Sequence, residues 1–181
     1  MKTTLNKIRK HHPCESGWTK LLATLNKTKA DDVDVSFLTI LESNGLDDAL
    51  WCLRSTPEYN RDSRLFAVWC ARQVQHLMQD ERSLNALDVA ERHADGLATD
   101  EELAAARAAA RAAGAAAGAA GAACAAARDA NRAAACDAAC DAASWAASWA
   151  AASAADAASA AQKAMFIKMC EGNAPWQGEI K

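Results

Sequence analysis

Thr99-Asp100-Glu101-Glu102-Leu103-Ala104-Ala105-Ala106-Arg107 opens a stretch that runs to Gly172 and is mostly alanine. Single Arg, Gly, Cys, Asp, Ser and Trp residues are set into it at intervals of four. Alanine is the strongest helix former because it gives up no side-chain entropy on entering a helix. Thr99 and Glu102 have the spacing of a capping box, in which the hydroxyl accepts from the Glu102 N–H and the carboxylate reaches back. Acidic residues in the first turn also suit the helix dipole. At the far end Gly172 stands as a stop after Lys168 and Glu171, with Pro175 beyond it. No proline interrupts the span, so helix is predicted throughout.

A single helix of this length would reach about 110 Å at about 1.5 Å per residue. A compact chain of this size has a radius of gyration of about 16 Å. The inner repeat points the same way: Cys136-Asp137, Cys140-Asp141, Ser144-Trp145 and Ser148-Trp149 recur every four residues. Four residues turn a helix by about 400°, so such a row drifts about 40° per repeat and keeps one face for only two or three turns. Two or three helices folded back on one another are expected. The weak points are Gly114, Gly118, Gly121 and the polar run from Arg128 to Arg132, with a second capping box at Ser153–Asp156. Trp145 and Trp149, one turn apart, are the expected buried anchors of this half.

The preceding residues read as short helices at 4–11, 15–26, 36–43, 46–54, 61–78 and 81–94, with apolar side chains at helical spacing. Pro13, Asn44-Gly45, Pro57 and Asp95-Gly96 punctuate them. No window alternates with period two, so no strand is predicted. The expected fold is all-α, a multi-helix bundle of short antiparallel helices. Residues 1–97 form a leucine- and tryptophan-rich helical domain, 98–173 the alanine-rich helices packed on it, and 174–181 a tail.

The 181 residues carry a formal net charge of −3, with 51% hydrophobic and 6% aromatic residues. A charge so near balance gives no reason to expect nucleic acid as partner. The N-terminal residues lack the apolar core of a signal peptide, and the seven cysteines follow no scaffold spacing. A cytoplasmic protein with reduced thiols is expected. Residues 112–127 are uncharged and contain GxxxG, but are shorter than the roughly 20 residues that span a bilayer.

His11-His12-Pro13-Cys14, His76 and His93 are candidate metal ligands, as are Cys136 and Cys140 with Asp137 and Asp141. Neither set has the ligand spacing of a closed site, and basic helix end and packing are the simpler readings. Glu91-Arg92-His93 and Asp47-Asp48 are candidate acid/base groups, although helical surfaces carry such clusters routinely. No catalytic residue, metal or cofactor is predicted. Arg107/Arg111 and Arg128/Arg132 are i,i+4 pairs suited to an acidic group. With Asp137, Asp141, Trp145 and Trp149 they make the expected partner-binding surface, for another protein or for a second copy of the chain.

Several stretches carry a family resemblance. They are Leu5-Asn6-Lys7-Ile8-Arg9-Lys10-His11, Leu38 to Arg54 with Asn44-Gly45-Leu46-Asp47-Asp48 at its centre, Arg64 to Val74, and Ala90-Glu91-Arg92-His93-Ala94-Asp95-Gly96. Together with the alanine-rich remainder, they resemble a family of small immunity proteins of tailed phages and prophages. The resemblance covers most of the chain to about residue 110; beyond that only composition matches. It implies binding and neutralisation of a toxin or effector rather than catalysis, in a bacterial host cell. The alternative within a phage setting is an anti-defence protein, for example an anti-CRISPR-like inhibitor, that occludes a host immune component. An enzyme of unknown activity stands third.

Overall fold

The computed structural model describes residues 1–73, 75–78, 80–117 and 155–178. Strand β1 (Lys2–Thr4) leads into α1 (Leu5–Arg9) and α2 (Glu15–Thr24); strand β2 (Asp34–Ser36) leads into α3 (Phe37–Asn44) and α4 (Leu46–Cys52). Short 3-10 turns at Leu53–Ser55 and Pro57–Tyr59 connect to α5 (Asn60–Gln73). A third, Gln75–Leu77, precedes α6 (Glu81–Ala94) and α7 (Asp100–Ala117). The last described helix is α8 (Ala155–Glu171).

Local signals set the helix ends. Thr4, Ser36 and Asp80 are N-caps whose side chains accept from Lys7, Leu38 and Arg82 N–H groups. Gly45 joins α3 to α4 at φ 96°, a value that favours glycine, and its N–H donates to the Leu41 carbonyl at 3.0 Å. The capping box of α7 closes both ways: Glu102 N–H donates to Thr99 Oγ1 at 3.2 Å, and Thr99 N–H to Glu102 Oε2 at 2.7 Å. Past α8, Asn173 N–H returns to the Lys168 carbonyl at 2.8 Å.

Two apolar clusters hold the helices, and both draw on the alanine-rich half. The first gathers Leu5, Ile8, Leu21, Phe37, Ile40, Leu50 and Phe66 with Met165, Phe166 and Met169 of α8. The Phe66 and Phe166 rings meet edge-on with centroids 6.0 Å apart. The second gathers Val68 and Ala71 of α5, Ala86, Leu87 and Ala90 of α6, and Leu103, Ala106 and Ala110 of α7. Those α7 residues lie three and four apart, one stripe of the helix. Thus α7 and α8, the two described ends of the alanine-rich stretch, both pack back on the earlier helices. Beyond α8, Ala174 is buried and Trp176 Nε1 donates to Asp62 Oδ1 at 3.0 Å, while Arg61 bridges the Trp176 carbonyl and Asp95.

Two expectations need correction. The chain contains a small antiparallel sheet, pairing Lys2 with Ser36, Thr3 with Val35 and Thr4 with Asp34. Each strand has three residues and one buried side chain, too short to display alternation. The helix predicted for 61–78 ends at Gln73 and gives way to the 3-10 turn, which lets α6 reverse and pack on α5. Among the described residues, Met165, Phe166, Met169 and Cys170 are buried at the far end of the alanine-rich half. Residues 118–154, with Trp145 and Trp149 and the tetrad rows, lie outside the described residues. No helix among the described residues is long and apolar enough to cross a membrane.

Candidate protein-binding site

Of the predicted surface, Arg107 and Arg111 fall on α7, half-buried and exposed respectively, and each already engages another group of the chain. Arg128, Arg132, Asp137, Asp141, Trp145 and Trp149 lie outside the described residues. The alanine-rich half therefore presents no assembled site among the described residues. Nor do the histidines converge: His11 and His12 are exposed, His76 sits on a 3-10 turn, and His93 Nε2 meets Asp100 Oδ1 at 2.7 Å. No three His, Cys, Asp or Glu side chains among the described residues could hold a metal.

A concave site among the described residues lies elsewhere, where α2 packs on α3 beside α4. Here a cavity of about 410 Å³ opens between Trp18 and Leu21 of α2, Ile40 of α3 and Trp51 of α4, with Ile8 and Pro13 closing one side. The fold builds it from local rules. Pro13 breaks the chain after α1, so α2 starts at Glu15 with Cys14 as its N-cap residue. Gly45 breaks α3, so α4 starts afresh with Asp47 and Asp48 in its first turn.

Gly17 lets the two helices meet. A Cβ there would stand 2.7 Å from Asp48 Oδ2 and 3.1 Å from Cys14 Sγ, so only glycine admits both groups as placed. Asn44 ties the contact, donating through Nδ2 to the Gly17 carbonyl at 2.8 Å and to Asp48 Oδ2 at 2.7 Å. At the base of the cavity the Cys52 thiol is pushed up to about 12, first by burial and then by the Asp48 charge. Burial therefore favours the neutral thiol at Cys52. From the 3-10 turn that follows α4, the Arg54 guanidinium lies 4.2 Å from the centre of the Trp51 ring.

The parts were visible in the sequence separately: Trp18 and Leu21 on one helical face, Asp47-Asp48 after a glycine. The reading of Asp47-Asp48 as ordinary helix surface misses that Asp48 packs directly against Gly17 of α2. No family model, curated protein or solved structure matches the chain.

Proposed function

We propose that the protein acts by stoichiometric binding to another protein, neutralising a toxin or effector inside a bacterial cell. The observation that carries this reading is the open, apolar cavity with two half-buried indoles on its wall. Tryptophan in a partly desolvated pocket is the side chain most often found to anchor protein interfaces. The chemistry around it suits holding a ligand: Cys52 is protonated, and the Asp48 carboxylate is tied to an amide rather than set against a base. The resemblance to phage immunity proteins supports neutralisation as the outcome of binding. Arg107 and Arg111 on α7 are proposed as further contact residues, within the alanine-rich half.

Affinity capture from bacterial lysate, followed by titration of the captured partner's activity, tests the proposal. Inhibition should saturate at a fixed molar ratio. Full inhibition at strongly substoichiometric amounts would show turnover and defeat it.

A further inference from the structure

We infer that Arg9, Lys10, His11 and His12, at the corner between α1 and α2, form a docking patch for an acidic segment of the partner protein. This rests on the protein-binding reading and specifies where the partner meets the chain and with what chemistry.

Charge distribution is the first argument. Residues 1–30 hold seven of the 20 lysines and arginines but one of the 23 aspartates and glutamates. Three of those cations are paired within the fold: Lys2 with Asp34 at 3.2 Å, Lys7 with Glu58 at 3.2 Å and Lys27 with Asp31 at 2.7 Å. Arg9 and Lys10 are exposed, and their side chains meet no carboxylate among the described residues. His11 and His12 follow, both exposed, and bring imidazole N–H donors to the same corner. The dipole of α1 accounts for little of this, because the helix has five residues and both histidines lie beyond it.

The backbone is the second. His12 N–H donates to the Arg9 carbonyl at 3.1 Å, and His12 has φ 54°, the left-handed turn in which glycine usually ends a helix. Histidine is strained there and glycine is not. The His12 side chain makes no hydrogen bond among the described residues, so the fold gains none in return for that strain. Strain of this kind gathers where a side chain meets a ligand.

The surroundings are the third. Ile8 and Pro13, which flank the patch in sequence, line the cavity, so the patch borders it. Carboxylates on the α4 side are engaged within the chain, Asp48 by the Asn44 amide at 2.7 Å and Asp47 by another group. The 3-10 turn packed against α1 carries a further cation, Arg54, whose guanidinium lies over Trp51. Opposing these, Glu15 stands in the first turn of α2. The whole chain has a formal net charge of −3, which repels a long polyanion such as nucleic acid. A short acidic segment meets the patch without running over the carboxylates beyond it.

The test uses the full chain and two blocked peptides, hexaglutamate and hexaglutamine. Each is titrated at low ionic strength while the backbone amide resonances of Arg9 to His12 are followed by NMR. Hexaglutamate should shift them and saturate, with hexaglutamine roughly tenfold weaker. Arg9→Gln together with Lys10→Gln should weaken hexaglutamate roughly fivefold or more, whereas Lys163→Gln together with Lys168→Gln on α8 should leave it nearly unchanged. His12→Gly should raise the melting temperature yet weaken hexaglutamate. Equal binding of the two peptides overturns the inference. Equal weakening by the two pairs of substitutions also overturns it, since it would report net charge alone. So does undiminished binding by His12→Gly. Tighter binding of heptathymidylate, an oligonucleotide of similar charge, would assign the patch to nucleic acid and overturn it too. The peptides need no partner, so the two readings fail separately. A patch indifferent to hexaglutamate, in a chain that still inhibits its partner at a fixed ratio, defeats the docking assignment alone. A glutamate-selective patch in a chain with no stoichiometric target defeats the partner reading.

Discussion

Gly17 carries two opposed effects. In an open helix, Gly→Ala gains about 1 kcal/mol through the unfolded chain and helix propensity. Here the new Cβ would meet Asp48 Oδ2 at 2.7 Å, and Asp48 could give way only by leaving Asn44. Gly17→Ala should therefore be no more stable than the unmodified chain by urea unfolding, yet stabilising when made together with Asp48→Ala. Equal gains in both backgrounds would show that the contact between α2 and α4 yields freely. Asp80 makes a second prediction at this scale. Hydrogen bonds from the Arg82 side chain and then its backbone N–H hold the Asp80 carboxyl down at about 2, against an ordinary 3.8. The folded value lies below the unfolded one, so the cap's contribution is fully present above 3.8 and is lost as the pH falls through about 2. An NMR titration of Asp80 should have its midpoint at about 2, moving part of the way back toward 3.8 in Arg82→Ala.

Among the elements, α8 has most of its anchoring concentrated in few residues. Its alanines carry little apolar area, whereas Phe166 and Met169 are fully enclosed against α3 and α5. Phe166→Ala should cost about 3–5 kcal/mol, read as a lower melting temperature and loss of the near-ultraviolet signal. An unchanged melting temperature would mean that α8 is not docked. This helix also shows what the sequence conceals. Caps and stops are written in four or five adjacent residues, so Asp80, Gly45 and the Thr99/Glu102 box were legible, and α6 follows its predicted limits of 81–94. Met165-Phe166 sits at the end of a long alanine run, and its depth depends on Phe66, about a hundred residues earlier, which no local pattern encodes. The three-residue strands were illegible for want of length, and the cavity because four elements have to be assembled before it exists.

At the scale of the whole molecule, the two apolar clusters make the chain interdependent. The first is closed by α8 and the second by α7. A chain shortened to residues 1–154 should lose cooperative thermal unfolding, because Leu5, Ile8, Phe37 and Ile40 would lose the cover of Met165, Phe166 and Met169. Retention of a sharp transition would show that the helices up to α7 are self-sufficient. Partner-binding work is consequently best done with substitutions in the full chain rather than with fragments.

The amino group of Met1 donates to the Cys170 carbonyl at 2.7 Å, across 169 residues of sequence. A ribosome adds about 5–20 residues per second, so the hundred or so residues separating Phe66 from Phe166 take roughly 5–20 s to make. Throughout that interval the nascent chain holds the apolar faces of α1 and α3 without the helix that completes them. Closure of the first cluster must therefore follow synthesis of α8, as the formation of a highly non-local contact, a kind that forms slowly. A chaperone or a protease that meets the growing chain meets it open at its own N-terminal end.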